Sequence, residues 1–445
     1  MEMSRNKTIL FIIGGIILFF AVVIILIMLF SNNSKKGNSS KDVFSIWMVG
    51  DSAEEAQDFV DGFKRFANTN MDVNILSFNS YDEYTYALTY AITNGEAPDI
   101  FVLNSNEKNS LFENQTVGIP PDYLNPSTIR KEYKDFVSNQ LISQSDTGTE
   151  FLLGLPIGYE TLGVFFNKRF VKRTDLENIS SLKSAVAKLK EKSPENIPIA
   201  IGNGTTLDSS EDIATQFMMS QSGDKNIESL QRRSVQAGLG DYLYFGDIEG
   251  DNKYNSRLEE MKVANQNAID LFSEGETYMV AGYPRLINKI SKKGFSSNYL
   301  EAVPFPLGGA SSGAALVNYN YFVVNKDSAK GDLAGKFMSY VSSADGIKIF
   351  LKAYPYYLPA AIAFEKEAES QMIHKNYKIA VTDFYSEKYS YTSFNKGIKT
   401  VYDAQLRVIL DSEKTAVDEF TRFQKSLNCK TEKAVSQKEF SKVCD

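Results

Sequence analysis

The chain has 445 residues, more than one hydrophobic core commonly organises, so two lobes are expected. Apolar residues make up 43% and charged residues 23%, the composition of globular material and not of a disordered or fibrous chain. The net charge is −7, with Lys and Arg dispersed and not striped among aromatics, which argues against a nucleic-acid partner.

From Thr8 to Phe30 the sequence is uncharged and apolar. At about 1.5 Å per residue this run spans a bilayer core of about 30 Å. It ends in SNNSKKGNSSK, without a small-residue cleavage site, and no cysteine adjoins it for lipid attachment. Residues 1–30 are therefore expected to be a cytoplasmic stub and a retained transmembrane anchor, followed by a flexible stalk over 31–42. Basic residues flank the run on both sides (Arg5, Lys7, Lys35, Lys36, Lys41), so charge alone does not orient it.

After the stalk, strand and helix signals alternate. VFSIWMVG (Val43 to Gly50) is a short apolar run of buried-strand type. Ser52 with Glu55 makes a capping box, and Ala56, Phe59, Val60, Phe63, Phe66 and Ala67 follow at helical spacing. MDVNILSF is the second strand. Ser80 with Glu83 opens the second helix, which Gly95 and Pro98 end, and Asp99 leads into the third strand, IFVL. A βαβαβ unit of this kind implies a parallel sheet with right-handed crossovers. Ligands bind outside the carboxyl ends of such strands, where Trp47, Asp51, Asn104 and Ser105 fall. The first turn reads GDSAEE and not G-x-G-x-x-G, which disfavours a dinucleotide.

Cys429 and Cys444 are the two cysteines, both in the tail over 426–445. A local disulfide closing a terminal loop and two unrelated thiols are both compatible with that spacing. The single histidine, His374, has no nucleophile motif beside it, and no metal-ligand or phosphate-loop spacing occurs. No catalytic residue, cofactor or metal site is read from the sequence, and the chain is expected not to be an enzyme.

Four ordered stretches resemble the type 1 family of extracellular solute-binding proteins, the maltose-binding-protein-like group. They are the first strand and helix with AITNGEAPDIFVLN; GLPIGYETLGVFFNKRF (Gly154 to Phe170); AIDLFSEGETYMVAGYPRLI; and VPFPLGG through YNYFVVNKDSAKGDLAGKFMSYVSSADG to YPYYLPA. The resemblance implies a periplasmic-binding-protein-like α/β fold of two lobes that close on a small ligand, and hinge closure is a known transition of such proteins. It implies lobe 1 over 43–157 plus about 307–354, and lobe 2 over about 158–306 plus 355–425. It places the crossings near Gly158, Pro304 to Pro306, and Tyr354 to Pro359.

The same resemblance implies a monomeric, extracellular, membrane-held capture module that hands a small ligand, a sugar by family precedent, to an ABC importer permease. A tethered receptor or sensor acting through a partner protein is the alternative. Sugars need aromatic faces and placed polar groups. With 24 Tyr and one Trp, tyrosine is the available stacking residue. The candidates are Tyr159 and Glu160 at the first crossing, Tyr283 after the third stretch, and Tyr321 and Tyr356 near the later crossings, with Trp47, Asp51, Asn104 and Ser105 on the first rim. Where the family has Trp, this chain reads Gly282-Tyr283-Pro284-Arg285. If the anchor is retained, amino-terminal sequencing of membrane-extracted protein reads from upstream of Thr8; a start at or beyond Ser31 would contradict it.

Overall fold

The computed structural model describes residues 43–393, apart from 51–52, 79–80, 106–111, 113, 202–206, 208, 222–231, 248–267, 307, 309–312 and 370. The predicted anchor, stalk and cysteine tail lie outside the described residues, as do Asp51, Ser52 and Ser80. Among the described residues no helix is long and apolar enough to cross a membrane. The chain divides into two compact units, residues 1–44 and 45–445, and the described helices and nearly all of the described strands belong to the second.

The first sheet has the order β2-β1-β3-β13-β4. β1 (Val43–Val49) alternates between buried and half-buried positions, and β2 (Asp72–Phe78) forms an exposed edge. β3 (Ile100–Asn104) is buried along its whole length and runs parallel to β1. Helix α1 (Ala53–Ala67) buries Phe59, Val60 and Phe63, the inner residues of its predicted stripe, while Phe66 at its end is half exposed. Helix α2 (Tyr81–Thr93) is pinned to β3 by Tyr84, whose hydroxyl donates to Val102 O at 2.6 Å and accepts from Val102 N at 3.0 Å. Parallel β1 and β3 match the strand–helix alternation read from sequence.

The sequence reading returned the segment over about 307–354 to the first lobe by resemblance but did not read the pairing of β13 (Asn320–Asn325), which enters antiparallel between β3 and the short β4 (Thr116–Val117). A strand returning from more than 200 residues away is invisible to local periodicity. Its insertion is fixed by Asp99 at the head of β3. That carboxylate is 6% exposed as a residue and accepts from Ser45 N at 2.9 Å and Ser328 Oγ at 2.6 Å, with Lys330 Nζ at 3.1 Å. One buried anion thus ties β1, β3 and the turn after β13. The helix over Gly331–Val341 follows directly and packs Phe337 and Tyr340 against Phe59 and Phe63 of α1.

The second sheet has the order β11-β8-β10-β9. β8 (Gly163–Asn167) is antiparallel to β10 (Thr277–Gly282) and to β11 (Leu300–Pro304), and β9 (Ile197–Ala200) is parallel to β10. The hairpin of β5 (Ile142–Gln144) and β6 (Glu150–Leu152) stands apart.

A third sheet, β14-β7-β12-β15, carries the chain between the other two. β7 (Gly158–Thr161) passes through Leu162 into β8, and β12 (Gly313–Asn318) passes through Tyr319 into β13. β14 (Leu358–Pro359) pairs with β7, and β15 (Tyr389–Thr392) runs parallel beside β12. Two glycines bracket β7 because strand and neighbours approach too closely for a side chain. A Cβ on Gly158 would lie 2.6 Å from Tyr357 Cβ, and one on Gly163 would lie 2.6 Å from Val303 O. A fully buried helix, α3 (Ser210–Ser220), lies over the part of β12 that β7 does not reach. There Gln216 donates to Ala314 O at 2.9 Å and accepts from Leu316 N at 2.8 Å, replacing a missing strand partner.

Removing one member of a buried ion pair costs about 3–5 kcal/mol, because the other charge is left uncompensated. Asp99→Ala is therefore expected to lower the urea midpoint strongly, while the double change Asp99→Asn with Lys330→Met costs less than Asp99→Ala alone. Trp47, the single tryptophan, sits on β1, and its fluorescence reports the transition. Equal losses in the single and double variants would remove the ion pair from this role.

Candidate ligand-binding site

Alternation along the crossing strands sorts their side chains onto two faces. Tyr159 and Tyr319 point to one face and Glu160, Asn318 and Asn320 to the other. The first is aromatic: Tyr159 lies 5.2 Å from Phe136 and 5.9 Å from Tyr391 between ring centroids, and Tyr319 lies 5.2 Å from Phe136 and 6.0 Å from Tyr321. Burial pushes the Tyr159 and Tyr319 phenols well above their ordinary range. These rings are packed, and Tyr159 and Tyr321 belong to that packing.

The second face is polar. The Glu160 side chain is fully buried (0% exposed), yet it meets Arg285, whose side chain is 45% exposed. Arg285 Nη1 donates to Glu160 Oε2 at 2.9 Å, and Arg285 N donates to Oε1 at 3.2 Å. Arg285 stands just before α4 (Leu286–Lys292), three residues beyond the end of β10. Burial raises the Glu160 carboxyl above the usual carboxylate range, and Arg285 acts in the opposite sense. The guanidinium also lies over the Tyr283 ring at 5.3 Å. Tyr283 itself is buried and donates to Asp212 Oδ2 on α3 at 2.8 Å.

The polar face continues into the first sheet. Asn320 Nδ2 donates to the Tyr357 hydroxyl at 3.2 Å, and Asn104 Nδ2 donates to Asn320 Oδ1 at 2.7 Å. The Tyr357 phenol is raised chiefly by burial, with Glu160 adding to it and Arg285 opposing. Tyr357 therefore stands within electrostatic reach of the ion pair, with Tyr356 beside it at 4.9 Å between ring centroids. Groups from all three sheets meet here: Asn104 and Asn320 from the first, Glu160 from the crossing sheet, and Arg285 and Tyr283 from beyond the second. Chemically, this face brings together a half-exposed arginine side chain, a buried carboxylate, amides and buried phenols.

Of the sequence candidates, Asn104, Glu160, Tyr283 and Tyr356 come together on or beside this face. Ser105 lies at its border, where its hydroxyl accepts from Tyr319 N at 3.0 Å. Tyr159 and Tyr321 occupy the opposite face, and Trp47 packs on Phe78 at 5.4 Å in the first sheet. Asp51 lies outside the described residues. Sequence reasoning missed Arg285, Asn318 and Asn320, and left Tyr357 within the tyrosine cluster near the later crossings without choosing it. The signal was present: Arg285 ends the Gly282-Tyr283-Pro284-Arg285 stretch, and Asn318 and Asn320 flank Tyr319, but both stretches were read for their aromatics. Among the described residues no group of His, Cys, Asp or Glu is arranged to hold a metal ion.

The chain belongs to the bacterial extracellular solute-binding protein family, which it matches over residues 58–380. No curated protein sequence matches it. Among solved structures, the ABC substrate-binding protein Lmo0181 from Listeria monocytogenes, in complex with cycloalternan, is similar with a TM-score of 0.63. Identity is 16%, over 89% of this chain and 100% of that one. The GacH receptor of Streptomyces glaucescens GLA.O, solved unliganded and with acarbose and an acarbose homolog, gives 0.61 at 15% identity, over 87% and 97%. The cyclic alpha-maltosyl-1,6-maltose binding protein from Arthrobacter globiformis gives 0.60 at 14% identity, over 85% and 96%. At such identities the likeness establishes a shared two-lobed α/β fold.

The raised Glu160 carboxyl carries a pH signature. Between the unfolded-state value near about 4.3 and the higher folded value, the native state binds more protons than the unfolded state. Glu160's share of stability is therefore fully present below the ordinary carboxylate range and declines as pH rises through the folded value. In thermal melts, the wild-type melting temperature minus that of Glu160→Gln should fall as pH rises from about 4 toward neutrality. A flat or rising difference would show that burial does not dominate this carboxyl.

Proposed function

We propose that this solute-binding protein captures an uncharged, hydroxyl-rich solute, a carbohydrate, between its two lobes and delivers it to an ABC importer permease. The observation that carries the reading is the buried Glu160 holding a half-exposed Arg285 on the polar face of the crossing strands. Arg285 arrives with its own counter-charge, which suits it to hydroxyl and ring-oxygen acceptors more than to a phosphate. Its planar edge offers several parallel N–H donors. Asn104, Tyr357 and Asn320 add donors and acceptors at fixed positions, and Tyr283 and Tyr356 are the aromatic rings beside them. The carbohydrates named with the three similar proteins support the same class of ligand.

In this reading lobe 1 comprises 43–157 with about 307–354, lobe 2 comprises about 158–306 with the segment after Tyr354, and the lobes rotate about the crossing strands. The apolar run Thr8 to Phe30 tethers the module to the cell membrane, with the binding lobes outside. Extending a ligand from the polar face toward Ser105 would bring the first rim into contact with it.

A ligand that binds only the native state stabilises it by RT ln(1 + [L]/Kd), about 2.7 kcal/mol at a hundredfold excess over Kd. The full chain in detergent should therefore melt higher with maltotriose or a cyclic α-glucan, and not with glucose 6-phosphate or spermidine. Arg285→Ala removes charge-assisted hydrogen bonds of roughly 1.5–3 kcal/mol, so titration calorimetry should read a loss of tenfold or more in affinity. A response confined to the charged compounds would exclude the carbohydrate reading.

A further inference from the structure

Glu160 and Asn320 have their side-chain polar atoms engaged, but Asn318, at the end of crossing strand β12, has an open side-chain carbonyl. The residue is 4% exposed, and its side-chain carbonyl Oδ1 has no hydrogen-bond partner among the described residues. Buried side-chain acceptors are satisfied in the large majority of cases, so one left open calls for an explanation. Asn318 is the last residue of β12 and stands directly opposite Glu160 of β7 in the antiparallel register. Facing residues of such a pair project to the same side with Cβ atoms about 4.5–5.5 Å apart. The open carbonyl therefore sits beside the Glu160–Arg285 pair, on the face where Asn320, two residues on, is already held by Asn104 and Tyr357.

Among the described residues no neighbouring group donates to this carbonyl. Arg285 Nη1 is committed to Glu160, and the Tyr283 hydroxyl is committed to Asp212. Gln216 satisfies β12 only as far as Leu316, two residues short. The amide is thus built into the middle of the fold, where its carbonyl is an acceptor without a donor among the described residues. An apolar residue of the same size would fit the strand as well and cost less.

We propose that Asn318 is the crossing-sheet residue that reads the solute, its side-chain carbonyl accepting a hydroxyl hydrogen from the ligand beside the Glu160–Arg285 pair. This rests on the solute-binding reading and adds the position at which ligand chemistry is checked. A ligand with a hydroxyl there completes the network, whereas one lacking it leaves a buried acceptor open. Sites built to hydrogen-bond a hydroxyl discriminate strongly against analogues without it.

The test separates a reading group from a structural one by stability first and binding second. Asn318→Leu and Asn318→Val, made in the full chain and melted unliganded in detergent, should not be less stable than wild type. The near-isosteric Leu variant is expected to melt higher by roughly 2–4 °C, because an unsatisfied buried carbonyl has been removed. Calorimetry with maltotriose should then show at least a tenfold loss of affinity in both variants. If both melt below wild type, Asn318 is a structural hydrogen-bonding residue and the proposal is overturned. It is equally overturned if the variants bind maltotriose as wild type does. If wild type itself gives no signal with maltotriose while Asn318→Leu still melts higher, the carbohydrate reading fails and the open acceptor at Asn318 stands.

Discussion

A carboxylate with no exposure to water has to be either neutral or matched, and Glu160 is matched by a guanidinium that reaches it from a different sheet. That requirement organises the centre of the molecule. Arg285 can meet Glu160 only if β10 ends at Gly282 and the next three residues turn back over the crossing strand. Tyr283 must then lie flat beneath the guanidinium, and its hydroxyl reaches Asp212 on the buried helix over Ser210–Ser220. Each contact fixes the next, so the ion pair positions aromatic surface and hydrogen-bond donors together.

Side-chain alternation gives the crossing strands a division of labour. One face is a packed aromatic cluster of Phe136, Tyr159, Tyr319 and Tyr391, with Tyr385 stacked on Tyr391 at 5.1 Å. The other carries the amides and the ion pair. The aromatic face holds the crossing strands by burial, which is non-directional and tolerates small rotations. The polar face uses directional bonds, which are sensitive to them.

The first sheet is completed from a distance. Asp99, read from sequence only as the residue introducing the third strand, accepts from Ser45 and Ser328 and pairs with Lys330. It thereby makes the antiparallel insertion of β13 part of the same sheet as β1 and β3. Because β13 is the continuation of β12 through Tyr319, that anchoring also fixes where Asn318 and Asn320 stand relative to Asn104.

By itself the sequence determined what depends on neighbours in the chain. The strand–helix alternation from Val43 to Asn104, the stripe of Phe59, Val60 and Phe63, and the ordered family motifs follow from local periodicity and residue type. Glu160 was legible as a candidate because it sits in one of those motifs. Only the tertiary structure decided that Tyr159, its immediate neighbour, faces the other way, and that Arg285, Asn318, Asn320 and Tyr357 share a face with it. The physical reason is that these partners are brought together by strand register across separations of more than a hundred residues, as for Arg285 with Glu160 and Asn320 with Asn104. Register is set by long-range packing and buried hydrogen bonds, and periodicity within one segment carries no record of which distant strand it will pair with.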